Sequence, residues 1–184
     1  MRKTRSGTTK IVKKFVKEHP GALLAKITIE KFRAPSLAAA LRLGIEPYEI
    51  VEEIYPWELE DVFLNEGINA IWTLVCGGSE TAFNNTNARI GVGNGTAAED
   101  ATHTGLQGVS TLFKAMMTGF PTFGSSQKAV FKSEFVSGEA EFAWEEFTVD
   151  NGSVADKNLH RKVTSKGTKP SGETWTCQIE LSLS

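Results

Sequence analysis

At 184 residues the chain can bury one real core, as a single domain with an appendage or two small units at most. Hydrophobic residues make up 40% and charged ones 23%, which excludes the disordered and fibrous classes. A net charge of −2 removes any average attraction to nucleic acid or an anionic membrane.

The average hides a polarity. Residues 1–20 carry seven basic side chains (Arg2, Lys3, Arg5, Lys10, Lys13, Lys14, Lys17) against Glu18 alone. Residues 46–66 carry eight acidic ones and no Lys or Arg. Two readings stand side by side: neighbouring copies neutralise each other through these segments, or both are simply solvated. The two cysteines, Cys76 and Cys177, lie in apolar settings outside any CxxC or Cys/His cluster, and read as small buried hydrophobes in a reducing cytoplasm. No leader is expected, since no long apolar run follows the basic start. The stretch from Ile68 to Cys76, broken by Asn69 and Thr73, is too short to cross a bilayer.

In chain order, residues 1–58 read as an extended N-terminal arm punctuated by Pro20, Pro35, Pro47 and Pro56. Within it, Leu23–Glu30 suits a strand and Ser36–Leu43 two helical turns. The spacing of Leu59, Val62, Phe63, Ile68, Ile71, Trp72 and Val75 predicts a helix over 59–78, stopped by Gly77-Gly78. Residues 79–184 read as a β-sandwich or jelly-roll domain. Phe83-Asn84-Asn85-Thr86-Asn87-Ala88 forms a turn leading into the short apolar strand Arg89–Gly93, with Asn94-Gly95 and small residues turning again. Leu106–Met117 fits helix or strand, with strand preferred in its second half. Ala129, Phe131, Ser133 and Phe135 alternate with Lys128, Val130, Lys132 and Glu134, and Ala140, Phe142 and Trp144 with Glu139, Glu141 and Ala143; the parity then switches to Phe147 and Val149, which suggests a bulge or the end of pairing. Trp175, Cys177, Ile179, Leu181 and Leu183 alternate over ten residues and mark the clearest strand. The predicted core is Phe131, Phe135, Phe142, Trp144, Trp175, Ile179 and Leu181.

Residues able to carry chemistry are few. Gly91, Gly93 and Gly95 lack the strand–helix context of a dinucleotide loop and read as a turn. Asp100 and His103 lack a third metal ligand nearby, and no cofactor is expected. His160-Arg161-Lys162 reads as a basic surface or interface cluster. Glu139, Glu141, Glu145 and Glu146 read as a solvated face, so no catalytic residue is assigned and the chain is expected not to be an enzyme. In the arm, Ile11, Val12, Phe15 and Val16 run as an apolar stripe between the lysines. Arg2, Lys3, Arg5, Lys10, Lys13, Lys14, Phe15 and Lys17 are therefore expected to dock on a protein partner rather than on nucleic acid.

A series of blocks occurs in a fixed order: Asn65-Glu66-Gly67-Ile68-Asn69; Phe83–Ala88 with Ile90-Gly91-Val92-Gly93; Thr104-Gly105-Leu106-Gln107; Phe142-Ala143-Trp144-Glu145-Glu146-Phe147; Asn158–Val163; and Gly167-Thr168-Lys169, Ser171-Gly172 and Thr174-Trp175. Over about residues 60–184 this resembles a group of virion structural proteins of tailed bacteriophages. The resemblance implies a virion component with a jelly-roll-like body and no catalytic residues to carry over. The expected role is a capsid decoration (cement) protein, made in the bacterial cytoplasm, sitting on the outer surface of the capsid as a homotrimer and binding the major capsid protein. The alternative is a neck, tail or fibre component with a host-receptor-binding role. The placing of Trp72, Trp144 and Trp175 on apolar faces speaks against a receptor-binding tip.

Overall fold

The strand that alternation marks at the C-terminus organises the molecule. The computed structural model describes residues 11–12, 23–56, 62–152 and 156–183. In it β11 (Thr174–Leu183) lies antiparallel between β2 (Leu23–Phe32) and β8 (Lys128–Phe135). Its inward residues meet inward residues on both sides: Cys177 stands opposite Ile29 and Ser133, Ile179 opposite Ile27 and Phe131, Leu181 opposite Ala25 and Ala129. Period-two side chains can bury one face only in such a register. Beyond β2 lies β3 (Glu49–Pro56), with β1 (Ile11–Val12) parallel on its edge; beyond β8 lies β7 (Thr122–Ser125). The sheet order is β1-β3-β2-β11-β8-β7.

A second sheet packs across it in the order β4-β10-β9-β5-β6. Its members are β4 (Val62–Phe63), β5 (Arg89–Gly93), β6 (Thr111–Ala115), β9 (Glu146–Asp150) and β10 (His160–Val163). Ile90, Val92, Phe147 and Val149 face the first sheet and join one core with Ile27, Ile29, Phe131, Phe135, Trp175, Cys177 and Ile179. Trp144 is its centre, edge-on to Phe135, Trp175 and Phe147 at centroid separations of 4.8, 5.0 and 6.1 Å. Its indole N–H donates to the Ala140 carbonyl at 3.0 Å, which satisfies the one polar atom of a fully buried side chain. The protein is mainly β, a sandwich with two short helices among the described residues.

Helix α1 (Leu37–Leu43) starts where Ser36 Oγ accepts the Ala39 N–H at 3.1 Å and stops at Gly44, whose φ of 63° an L side chain rarely adopts. Helix α2 (Asn65–Val75) is pressed against the start of β10: a Cβ on Gly67 would lie 2.5 Å from the Leu159 carbonyl oxygen. Glu66 accepts the Asn158 N–H at 2.9 Å and fixes the helix there.

Four readings need correction. Residues 23–56 are not an arm outside the body: β2 runs the length of β11, and β3 extends the same sheet. Pro35 and Pro47 fall in the connection and Pro56 at a strand end, where proline costs no ladder hydrogen bond. The helix expected over 59–78 begins at Asn65, because Val62 and Phe63 pair with Arg161 and His160. Residues 139–144 form no strand; Ala140 has φ 49° and Glu139 folds back to accept the Val136 N–H at 3.0 Å. The parity switch at Phe147 is the start of β9, a central strand, and Phe142 is half-buried at the margin of the core.

Candidate functional site

The outer face of the five-stranded sheet carries a buried row of polar side chains. On β9 the core-facing positions are Phe147 and Val149, so Glu146, Thr148 and Asp150 point the other way, yet all five residues are buried. Their partners on β5 are Gly93, Gly91 and Arg89. The glycines here serve close approach. A Cβ on Gly91 would meet the Phe113 ring at 2.5 Å, and a Cβ on Gly93 or Gly95 would meet Glu146 Oε1 at 2.5 Å. None of the three has a positive φ, so the glycine series is not the tight corner the sequence suggested.

Glu146 is the centre of this row. Its carboxylate accepts backbone N–H groups from Gly95 (3.1 Å), Gln107 (2.9 Å) and Gly108 (2.7 Å), and the Arg161 Nε–H at 2.7 Å. Arg161, on β10 and equally without exposure, reaches on to the carbonyls of Ala97 and Ala98 at 3.1 and 3.3 Å. One buried ion pair thus closes the neck of the loop 94–108 and holds its outer limb. Asn94 completes the closure, exchanging hydrogen bonds with Ser110 at 3.0 Å in both directions. The shape is that of an Ω-loop pinned at its base. Further on, Glu99 accepts the Val163 N–H and pairs with Lys162 at 3.2 Å, while Asn65 N–H donates to the Ala101 carbonyl at 2.8 Å. At the other end of the row Arg89 forks onto Asp150, Nε to Oδ1 at 3.0 Å and Nη2 to Oδ2 at 2.5 Å. Burial pushes the Asp150 carboxyl above its ordinary range, and Arg89 opposes that shift.

The cluster His160-Arg161-Lys162 is therefore interior, not a surface patch, and Glu146 is not solvated. His160 faces Phe63, ring centroids 6.4 Å apart, and neither ring nitrogen has a partner among the described residues. Burial, helped by the nearby Lys162 charge, holds the imidazole pKa down at about 3, so the ring is neutral. Glu139 pairs with Lys114 at 2.6 Å, Glu141 accepts the Gly138 N–H at 2.9 Å, and Glu145 accepts the Ser165 hydroxyl at 2.9 Å. Asp100 accepts from Thr102, both backbone (2.8 Å) and hydroxyl (2.7 Å), and His103 Nδ1 sits 3.4 Å from Arg161. Among the described residues no group of three or more His, Cys, Asp or Glu converges to hold a metal ion.

Three carboxylates among the described residues of the acidic segment are engaged within their own chain. Glu49 pairs with Lys31 at 2.6 Å, Glu52 with Lys26 at 2.8 Å, and Glu53 with Lys166. Those carboxylates are not waiting for the arm of a neighbour. The arm residues Arg2, Lys3, Arg5, Lys10, Lys13, Lys14, Phe15 and Lys17 lie outside the described residues.

A second feature lies where the sandwich opens between α2 and the β7–β8 edge. Here an apolar groove of about 1140 Å³ has Phe131, Leu181, Phe63 and Leu159 on its floor and α2 as one wall. Its rim leaves Trp72 at 61%, Val75 at 69% and Phe123 at 75% exposure. Cys76, at the end of α2, is exposed as well, whereas Cys177 is buried in the core and its thiol pKa is raised by burial. Helical spacing placed Trp72 on an apolar face correctly, but that face lines an open groove. Periodicity reports which side is apolar and not whether anything covers it. Of the predicted core, Phe131, Phe135, Trp144, Trp175, Ile179 and Leu181 are buried.

Chemically, the carboxylates of the polar row are engaged by backbone N–H groups and arginines, Arg161 Nη2 is buried without a hydrogen-bond partner among the described residues, and the groove offers apolar contact. No family model, curated protein or solved structure matches the chain. Among the described residues no helix is long and apolar enough to cross a membrane.

Proposed function

We propose that this chain is a structural protein of a tailed-phage virion, a capsid decoration protein that binds the major capsid protein and stabilises the shell. The observation that carries the reading is the groove beside α2: three large apolar side chains stand in water on a body whose charges are largely paired internally. Exposed apolar surface of this kind marks protein–protein contact, because leaving it hydrated has a free-energy cost that association removes. The ordered blocks over residues 60–184 supply the virion assignment. A homotrimer around a shell axis would multiply the contacts each copy makes and cover sheet edges.

The test is reconstitution. Shells lacking the protein are incubated with the purified chain, sedimented, and heated. Binding with a raised shell disruption temperature is expected; a chain that stays in the supernatant contradicts the proposal. The second reading, a neck, tail or fibre component, draws on the same exposed Trp72 and Phe123, which a receptor-binding surface would also display. Co-sedimentation with tails and not with shells would favour it.

A further inference from the structure

We propose that Asn94, wherever on a particle the chain resides, is a site of deamidation that slowly and irreversibly releases the loop 94–108. The Glu146–Arg161 pair sets the pace, because it holds the attacking nitrogen away from the side chain.

The chain contains two Asn-Gly pairs, Asn94-Gly95 and Asn151-Gly152. Glycine has no side chain to shield its amide nitrogen, so that nitrogen can attack the preceding asparagine at Cγ. A bond forms between the glycine N and Cγ, the Cγ–Nδ2 bond breaks, and the proton of the nitrogen leaves with Nδ2 as ammonia. Water then opens the cyclic imide at either carbonyl and leaves aspartate or isoaspartate. Only water is consumed, and a neutral amide becomes a carboxylate.

The fold treats the two pairs differently. Asn151 has no exposure; its Oδ1 accepts the Lys157 N–H at 2.9 Å, and its Nδ2 donates to Glu80 at 3.2 Å and to the Thr81 carbonyl at 3.0 Å. Its carbonyl and its leaving group are both fixed. Asn94 is partly exposed, and among the described residues no acceptor holds its Nδ2. The Ser110 N–H bonds its Oδ1 at 3.0 Å, which polarises Cγ towards attack. The restraint on Asn94 is its neighbour. Gly95 N–H donates to Glu146 Oε1 at 3.1 Å, where the negative charge opposes loss of the proton and the nitrogen is aimed at the carboxylate. Gly152 N–H is held in the same way by Asp150 at 3.2 Å, so Asn151 keeps every lock that Asn94 has and adds one on its leaving group.

Conversion then acts back on the neck. Asn94 Oδ1 and the Glu146 carboxylate crowd one small space: a Cβ on Gly108 would meet the first at 2.5 Å and the second at 2.8 Å. Aspartate at position 94 sets a second negative charge beside the buried carboxylate of Glu146. Isoaspartate adds a methylene to the main chain at the point where Asn94 and Ser110 exchange hydrogen bonds. Either product works against the closed base, and neither reverts.

The experiment ages the purified full chain at mildly alkaline pH and follows positions 94 and 151 by peptide mass spectrometry, beside synthetic peptides spanning each pair. Conversion at 94 is expected to run more than about tenfold slower than in its peptide, since it waits on local opening, and to run ahead of 151. The converted fraction should be cut faster by protease within 94–108, and unaged Asn94→Asp should reproduce that cutting. Glu146→Gln removes the charge and should speed conversion at 94 alone, with Asn151 reporting any general unfolding. If Glu146→Gln does not fold, the order of the two positions in the wild type and the cutting of Asn94→Asp decide. Conversion at 94 as fast as in its peptide, conversion at 151 first, or an intact Asn94 after many lifetimes of the peptide would each overturn the proposal. So would equal acceleration at both positions in a folded Glu146→Gln, or wild-type cutting of Asn94→Asp.

Discussion

Glu146 and Arg161 stand diagonally across β9 and β10, 2.7 Å apart from Oε2 to Nε, and neither side chain has any exposure. Their pairing is the reason the loop 94–108 has a fixed base. Removing one partner leaves the other charge buried and uncompensated, so Glu146→Ala is expected to destabilise the fold by about 3–5 kcal/mol. Replacing both by methionine is expected to cost much less than the sum of the single changes. Denaturant unfolding of the wild type, Glu146→Met, Arg161→Met and the double variant measures this; additive effects would contradict the coupling.

The glycines around the carboxylate give a second prediction. In Gly95→Ala the new Cβ would lie 2.5 Å from Glu146 Oε1 and 2.7 Å from the Gly108 nitrogen. The neck must open, at about 1–3 kcal/mol, and protease cutting within 94–108 should quicken while the core strands stay protected. An unchanged cutting rate would show that the carboxylate is not what holds the loop.

His160 gives the protein an acid limit. Its pKa is about 3 in the fold against 6.5 in the unfolded chain, so the unfolded state binds the extra proton as pH falls. The stability linked to the neutral ring is complete above pH 6.5 and is lost progressively towards about 3. The loss totals roughly 4–5 kcal/mol. His160→Phe, which forfeits no hydrogen bond, should flatten the stability curve between pH 6.5 and 4. A variant that keeps the same slope would assign the acid sensitivity elsewhere.

Trp175→Ala should cost about 3–5 kcal/mol. The indole is buried against Trp144 at 5.0 Å and lies beneath the Lys31 ammonium, 4.3 Å from the ring centre. A melting curve that does not move would mean that the core is not built around this pair.

The contribution of the arm is separable from that of the body. Deleting residues 1–20 removes the short parallel pairing of Ile11 and Val12 with Ile50 and Val51, while β2 and β11 keep their full register. The remaining chain should fold and bind particles more weakly; unchanged occupancy would show that the arm is not an anchor.

Where alternation was long and uninterrupted, as from Thr174 to Leu183, the strand, its inward face and its burial were all legible in the sequence. Leu23–Phe32 carries the same alternation, but the flanking prolines made it look detached. They bracket the strand, and nothing local reveals that β11 is its neighbour. Ala140, Phe142 and Trp144 mimic a strand because a folded-back loop also dips alternate residues into a core. The buried row was the hardest to see. Glu146 and Arg161 are chemically identical to surface residues, and only their cross-strand register and the loop above them make them interior. The available signal was Gly91, Gly93 and Gly95: small residues inside an apolar strand mark a close approach as readily as a turn.

The most direct test of the decoration role is the number of copies of this chain per purified virion, measured by quantitative mass spectrometry against the major capsid protein. A copy number on the scale of the capsid protein itself is expected of a protein that coats the shell. A handful of copies per particle would contradict it and move the protein to the neck or tail.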